Sequence, residues 1–248
     1  AQLGAKAVNK RIQNESRVTC DFVRECKRNR TNKLVDSSGA TLSGKELLLK
    51  SLVVRRLLNR HALSADEEFV GLLVPQSVGG VVANMALSLD KRVAVNLNYT
   101  VSAAVLNACC EVAGIKTIIA SRLAMKKFEF KASDLDAELF YLEDLRKSEF
   151  APTLFQKIGG WWTANVTSAN SIIKSLGLDE IDPNDILTVI FTSGSTGVPK
   201  GVMLTHANVG SNAAAINSMV QLKDDDVLVG ILPLFHSMGY TNEYIIVF

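Results

Sequence analysis

A polar segment at residues 192–201 carries the residue types best suited to bind phosphate. It contains three glycines, four hydroxyl residues and one lysine, Lys200. Glycine lets the backbone approach a ligand closely, and exposed N–H groups, hydroxyls and an ammonium group can together surround phosphate oxygens. An apolar run at residues 186–191, typical of a buried strand, precedes the segment. A strand followed by a small polar loop and a lysine predicts a nucleotide-phosphate site.

The spacing of this loop differs from the common P-loop pattern, G-x-x-x-x-G-K-[ST]. Gly194, Gly197 and Lys200 are three residues apart, and Pro199 disfavours helix at Val198. We therefore expect that the loop does not run straight into a helix. Composition alone leaves a Ser/Thr/Gly-rich surface linker as the alternative. A kinase-like phosphotransferase is disfavoured, because neither a Walker pattern nor a G-x-G-x-x-G loop precedes a helix.

The order TSGSTGVPKGVMLTH closely resembles the phosphate-binding signature of the adenylate-forming superfamily. That superfamily includes acyl-CoA synthetases, acyl-ACP synthetases, luciferases and peptide-synthetase adenylation domains. In it, the loop closes over the β- and γ-phosphates of ATP while a carboxylate attacks the α-phosphate. The resemblance implies ATP and Mg²⁺ as cofactors, and it gives Lys200 a part in stabilising charge during the reaction. The residues that it implies in ATP binding are Thr192, Ser193, Gly194, Ser195, Thr196, Gly197 and Lys200.

Residues 232–236, LPLFH, match a second signature of the superfamily. They begin at the last residue of the 227–232 run, which reads as a strand, and open α/β sheets bind ligands at the carboxyl ends of their strands. The resemblance implies that His236 lies where the ATP site meets the acyl tunnel and orients the carboxylate or screens its charge. It also implies that Gly239 and Tyr240 line the approach to the acyl pocket. A histidine with a structural role is the alternative.

Upstream patterns supply the elements that must position these residues. Strand patterns at residues 68–77, 92–98 and 116–120 alternate with helix patterns at residues 79–89 and 101–113. Short links between them predict an α/β fold with a doubly wound, mostly parallel sheet and flanking helices. Two helix boundaries are also predicted. Ser43 and Glu46 have the spacing of a capping box, and Gly114 stands where a helix ends.

Other residues with reactive side chains occur in less specific settings. Seven carboxylates are scattered through residues 143–185, and three consecutive acids stand at residues 224–226; solvated surface is favoured over metal binding for both. We expect Trp161 and Trp162 to be partly buried rather than to stack on a ligand. His206, in the first turn of a helix that Thr205 caps, is expected at the surface rather than in a catalytic role.

Composition excludes several classes of partner. A net charge of +2 over 248 residues gives no argument for nucleic acid or an anionic membrane surface. The apolar region around residues 78–89 is shorter than the roughly 20 residues that span a bilayer, and no signal peptide is recognisable. Four cysteines without zinc-ligand spacing favour reduced thiols. These are Cys20, Cys26, Cys109 and Cys110. The expected location is cytoplasmic.

Three segments resemble a narrower group within the superfamily: residues 95–100 (VNLNYT), residues 140–146 (FYLEDLR) and residues 232–241 (LPLFHSMGYT). They look like the acyl-ACP synthetase part of bifunctional lysophospholipid acyltransferase/acyl-ACP synthetase proteins. The resemblance implies activation of a fatty acid to an acyl-adenylate, followed by transfer to the thiol of acyl carrier protein or coenzyme A. In that group an acyltransferase domain precedes the synthetase, so a membrane-attached parent protein at the cytoplasmic face is implied.

The domain organisation follows from the same resemblance. We expect residues 1–16 to be poorly ordered and residues 17–248 to form a partial AMP-binding domain. The Y-G-x-T-E-like motif, the ribose-binding aspartate and the small C-terminal domain with its lysine have no counterpart here. The isolated chain is therefore expected to be a fragment that does not form acyl-adenylate. A non-catalytic nucleotide-binding or interaction module with the same fold is the alternative.

Overall fold

The structure is a computed structural model, and it describes residues 17–28, 32–146, 166–192, 199–221, 223 and 226–245. The helices in these ranges are α1 (Val18–Arg28), α2 (Gly44–His61), α3 (Val78–Leu89), α4 (Ala103–Ala113), α5 (Arg122–Lys127), α6 (Ala169–Ser175), α7 (His206–Val220) and α8 (Ser237–Ile245). The strands are β1 (Asn32–Val35), β2 (Thr41–Ser43), β3 (Phe69–Leu73), β4 (Val93–Asn96), β5 (Thr117–Ala120), β6 (Glu138–Tyr141), β7 (Ile186–Thr192) and β8 (Lys200–Thr205).

One six-stranded sheet organises the described part of the chain, with the strand order β6-β5-β3-β4-β7-β8. The strands from β6 to β7 are parallel, whereas β8 runs antiparallel to β7. All residues of β4 and β5 are buried, as expected for parallel strands that helices cover on both faces. The predicted doubly wound, mostly parallel sheet is confirmed.

Three apolar cores of described residues lie against the sheet and show how the helices divide between its faces. One joins residues of α1, α2, α3, α6 and α7, a second joins residues of α2 and α3 with β3, β4 and β5, and the third joins residues of α4 and α5 with the strands. On β7, Val189 belongs to the α4 core and Ile190 to the α1 core, because successive strand residues point to opposite faces. The carboxyl edge of the parallel strands is left to the connecting loops.

The local boundaries follow the sequence signals closely. The Ser43 backbone N–H donates to Glu46 Oε2 at 2.8 Å and the Glu46 N–H donates to Ser43 Oγ at 3.4 Å, so the predicted capping box of α2 is confirmed. Gly114 ends α4 with a φ of 65°, in the left-handed region that glycine adopts easily. None of the helices in the described ranges is long and apolar enough to cross a membrane.

A carboxylate in the β1–β2 turn fixes the start of α3 at the carboxyl end of β3. Asp36 Oδ2 accepts a hydrogen bond from the Val78 N–H at 2.9 Å, and Oδ1 accepts one from the Ser38 N–H at 2.9 Å. The hydrogen bond from the Ser38 hydroxyl, which outweighs the effect of burial, lowers the pKa of Asp36. Asp36 therefore stays ionised and holds α3 in place at neutral pH.

The four cysteines are free thiols with buried side chains. Burial raises the pKa of Cys109 to about 11 and, with the neighbouring Cys109, that of Cys110 to about 12. Both remain protonated at neutral pH, and a thiol that stays protonated is a poor nucleophile. The interpretation of the pair as reduced thiols rather than a disulfide agrees with the structure.

The prediction of a strand at residues 227–232 is wrong. This segment has no regular secondary structure, and its apolar side chains are exposed: Val227 by 86%, Val229 by 75% and Ile231 by 77%. A strand needs a neighbour for its backbone hydrogen bonds. Among the described strands, β8 is the edge of the sheet, and it pairs with β7.

Candidate functional site

The polar loop is held between the paired ends of two strands. Thr192, the last residue of β7, lies opposite Lys200, the first residue of β8, and the Thr192 hydroxyl donates to the Lys200 carbonyl oxygen at 3.4 Å. Because β8 runs antiparallel to β7, both anchors lie at the carboxyl edge of the parallel strands. The prediction that no helix directly follows the loop is confirmed, since β8 comes first.

Two of the predicted ATP-binding residues, Thr192 and Lys200, are thus placed by the structure. The others, Ser193, Gly194, Ser195, Thr196 and Gly197, lie outside the described residues, so their contacts with ATP stay a prediction. Both placed side chains are exposed. Lys200 forms no ion pair with any described carboxylate. Its positive charge is therefore available to an anionic ligand, and these two anchors fit a phosphate group.

His236 lies at the same edge, carried by a tight turn that its neighbours anchor. Leu234 and Phe235 are buried, whereas His236 is exposed. The His236 N–H donates to the Pro233 carbonyl oxygen at 3.0 Å, and Leu234 packs beside Gly80 near the start of α3. The sequence pattern predicted that His236 follows a strand. The structure shows no strand there, and His236 directly precedes α8.

Four rings from three separate segments form a row, here called the ring row: Phe128, Tyr99, Phe235 and His236. Tyr99 stacks on Phe128 with ring centroids 4.3 Å apart, and Phe235 meets Tyr99 edge-on at 4.9 Å. The His236 ring lies 4.8 Å from that of Phe235. Burial raises the pKa of Tyr99, so its phenol stays neutral at physiological pH. Tyr99 stands in the VNLNYT segment, but nothing in the local sequence indicates that its ring meets Phe128 and Phe235.

The expectation that Tyr240 lines the approach to an acyl pocket is wrong. Its side chain is fully buried and belongs to the same core as Val78, Val81 and Val209. A side chain with no exposed surface cannot contact a substrate in this arrangement. Gly239 is also buried, and it lies against the backbone of the turn that carries His236.

His206 is buried, which corrects the expectation of surface placement. Thr205 caps α7 as predicted, with its hydroxyl accepting from the Asn208 N–H at 3.2 Å. His206 shares a buried helix face with Val209, Gly210 and Ala213, at the three-, four- and seven-residue spacings of one helix face. That spacing was the signal that could have revealed its burial. Its Nδ1 has no hydrogen-bond partner among the described residues.

Burial of His206 predicts a pH-dependent loss of stability. Desolvation lowers its pKa from 6.5 to about 4, with Asp185 opposing the shift and Arg17 adding to it. Between these values the unfolded chain binds more protons than the folded chain. The free energy of unfolding is therefore unaffected by the protonation of His206 above pH 6.5. It falls by on the order of 3 kcal/mol as the pH is lowered from 6.5 towards 4.

Urea unfolding followed by circular dichroism at pH 7 and pH 4.5 measures this effect. We expect His206→Gln to unfold with a smaller difference between the two pH values than the native chain. The control is His61→Gln, for which the native difference should persist. A native-sized difference in His206→Gln would assign the pH dependence to other groups.

The described carboxylates make local structural contacts. Glu143 Oε1 accepts from the Ser121 hydroxyl at 2.7 Å and the Arg122 N–H at 3.0 Å, and Asp144 pairs with Arg122 at 2.8 Å. Within the described ranges, no group of three His, Cys, Asp or Glu residues could hold a metal ion. The described residues therefore contain no cluster that would bind a metal ion without a nucleotide, whereas an ion bound together with ATP needs only one or two carboxylates beside the phosphates. Predictions on Glu149, Trp161, Trp162, Asp224 and Asp225 fall outside the described residues.

Comparison with known proteins identifies the family of this chain. The profile of a family described as AMP-binding enzyme matches residues 22–248. The chain belongs to the AMP-binding enzyme family. The loop, Lys200 and the LPLFH turn all lie within the matched region.

Individual relatives agree with this assignment. The chain is 28% identical to 4-coumarate–CoA ligase 1 of Arabidopsis thaliana over 188 residues, which is 72% of this chain and 32% of that protein. It is 42% identical to the peroxisomal long chain acyl-CoA synthetase 6 of Arabidopsis thaliana over 66 residues, which is 27% of this chain and 9% of that protein. The chain thus spans about a third of the first relative and less of the second.

A solved structure shows the same fold. The o-succinylbenzoate coenzyme A synthetase of Bacillus subtilis, in complex with ATP and magnesium ion, superposes with a TM-score of 0.70 at 19% identity. The match covers 92% of this chain and 54% of that protein. The chain therefore shares the α/β fold of about half of that synthetase.

Proposed function

We propose that this chain forms the phosphate-binding and acid-orienting part of a ligase that joins a fatty acid to a thiol by way of an acyl-adenylate. The observation that carries the proposal is the loop clamped by the Thr192–Lys200 pair at the carboxyl edge, in a chain of the AMP-binding enzyme family. His236 lies at the same edge. The proposed phosphate-binding pair and the proposed acid-orienting histidine therefore lie at the same edge of the sheet.

The proposed reaction has two steps, and the first requires positive charge at the site. A fatty-acid carboxylate attacks the α-phosphate of ATP, forming an acyl–phosphate bond and releasing pyrophosphate. A thiol then attacks the acyl carbon and AMP departs. Both reactants of the first step are anions, so their approach requires fixed positive charge. Lys200 supplies that charge on the phosphate side, and the imidazole of His236 orients or screens the carboxylate.

Magnesium would supply further charge neutralisation on the phosphates. Such an ion takes only one or two protein carboxylates beside the phosphates, so the described residues do not settle which side chains would hold it. We also propose that the isolated chain does not form acyl-adenylate, because it spans only about a third to a half of the ligases compared above. A non-catalytic nucleotide-binding module with the same fold is the second candidate.

Two observations support a fatty acid as the substrate. One is the stretch of 42% identity with a long chain acyl-CoA synthetase. The other is the resemblance of residues 95–100 and 140–146 to acyl-ACP synthetases. The relatives compared above are named as coenzyme A ligases, whereas the sequence resemblance favours acyl carrier protein. We propose that one of these two thiols is the acceptor, and that the reaction occurs in the cytoplasm or at the cytoplasmic face of a membrane.

Exchange of labelled pyrophosphate into ATP tests the proposal. The full-length protein that contains this chain should catalyse palmitate-dependent exchange, and omission of palmitate should abolish it. Product formation with coenzyme A or with acyl carrier protein then identifies the acceptor. The isolated 248-residue chain should show no exchange. Absence of exchange by the full-length protein with fatty acids would overturn the enzyme assignment; exchange by the isolated chain would overturn its inactivity.

A further inference from the structure

We propose that Tyr99 is a positioning residue: acting through Phe235, it holds the His236 imidazole at the carboxyl edge of the sheet. This inference rests on the proposed function in one respect, namely that His236 acts on the carboxylate substrate. The geometric part stands on the ring row alone. The two parts can be tested separately.

The backbone that carries Tyr99 is fixed on both sides. On one side, Asn96 at the end of β4 forms two amide hydrogen bonds with Asn84 of α3, at 2.8 and 3.2 Å, and both residues are buried. On the other side, Asn98 Oδ1 accepts from the Thr100 N–H at 2.9 Å. Tyr99 therefore presents its ring from a braced turn, rather than from a free loop.

The ring of Tyr99 is held on one side and supports Phe235 on another. Phe128 stacks on it with an interplanar angle of 25°, and Phe235 approaches edge-on at 85°. Offset stacking and edge-to-face contact are the two favoured aromatic arrangements. Phe235 is buried at 6% exposure. Removal of the Tyr99 ring would therefore leave space into which the Phe235 ring could turn.

The imidazole of His236 depends on the support of Phe235, whereas the backbone of His236 is held by hydrogen bonds. The turn is fixed by the hydrogen bond to the Pro233 carbonyl and by the start of α8, where the Tyr240 N–H donates to the His236 carbonyl at 2.9 Å. The exposed imidazole rests on Phe235. Loss of Tyr99 is therefore expected to leave the turn in place but to release the imidazole from its orientation.

Proton NMR on the chain itself tests the geometric part without any need for activity. The chain has three histidines, and His236→Gln identifies which Hε1 resonance belongs to His236. Tyr99→Leu should shift that resonance towards its position in the urea-unfolded chain, with the other two unmoved. Tyr99→Phe, which keeps the ring, should retain the native position. The matched control is Phe69→Leu, which removes a half-buried ring at the opposite edge of the sheet.

Several outcomes would overturn the geometric part. A folded Tyr99→Leu chain with an unmoved His236 signal would do so, as would an equal shift caused by Phe69→Leu. Should Tyr99→Leu fail to fold, Phe128→Leu replaces it, because it removes the ring stacked on the far face of Tyr99. A smaller shift in the same direction is then expected, and an unmoved signal would overturn the inference.

Kinetics of the full-length protein test the functional part. We expect Tyr99→Leu to lower kcat/KM for palmitate about tenfold, while KM for ATP stays unchanged and Tyr99→Phe remains near native. An NMR shift with unchanged kcat/KM would show that Tyr99 holds His236 but that His236 does not act on the acid. That result would overturn the proposed role of His236, whereas loss of affinity for ATP and acid alike would overturn the specific positioning role of Tyr99.

Discussion

Lys200→Met is expected to lower the rate of palmitate-dependent ATP–pyrophosphate exchange by about 10²–10³-fold in the full-length protein. Methionine keeps most of the side-chain length and removes the charge. The effect is large because two anions must approach each other, and Lys200 is exposed at the loop anchor without a described acidic partner. The exchange rate of Lys200→Arg should lie between those of the native protein and Lys200→Met. Arginine keeps the positive charge, but its guanidinium is planar whereas the ammonium of lysine is a compact charge.

The control for this prediction is Lys50→Met, which removes an exposed lysine of α2. Its exchange rate should equal that of the native protein. Because Lys200 begins an exposed edge strand, the variant should also unfold at the native urea concentration. A Lys200→Met protein with native exchange would show that the loop does not use this charge.

Gly239→Ala is expected to destabilise the chain by about 2–3 kcal/mol. A Cβ atom at this position would lie 2.1 Å from the Pro233 carbonyl oxygen and 2.7 Å from that of Leu232. Both atoms belong to the backbone of the turn, so neither can move aside as a flexible side chain would. The turn that carries His236 must therefore open, and exchange activity should fall together with stability.

Urea unfolding measures this change, with Gly79→Ala as the matched control. The nearest atom to a Cβ at Gly79 is Ser77 Oγ at 3.8 Å, which is ordinary contact. That variant should be as stable as the native chain or more stable by up to about 1 kcal/mol. Equal unfolding midpoints for the two variants would mean that the turn at Gly239 adapts without cost.

Local signals in the sequence predicted the elements of this fold well. The capping box at Ser43, the end of α4 at Gly114 and the continuous apolar strands each depend on a few neighbouring residues. Long-range contacts could not be predicted in this way. The carboxylate of Asp36 binds the start of α3, 42 residues further along the chain. The apolar pattern of residues 227–232 indicated a strand, but a pattern does not specify a partner.

In the candidate site, too, local sequence signals were predictive and long-range contacts were not. The order of residues in the loop and in LPLFH singled out Thr192, Lys200 and His236, which the structure brings to one edge of the sheet; their binding of phosphate and acid stays a prediction. The burial of His206 and Tyr240 was missed, because it depends on which helix face meets the core. The ring row was missed for a related reason: Tyr99, Phe128 and Phe235 come from three distant segments, and only the folded sheet brings them together.

The reversed direction of β8 has an electrostatic consequence for phosphate binding. In a P-loop, the helix that follows the loop directs the positive end of its dipole at the phosphates. Here β8 carries the chain to the opposite edge, so α7 begins roughly 20 Å away, the length of its six residues. The N-terminus of α7 is therefore too far away to take up negative charge at the loop, whereas the exposed Lys200 can do so. A surface charge of this kind is screened by salt over about 10 Å at 0.1 M, so nucleotide affinity should weaken steeply as ionic strength rises.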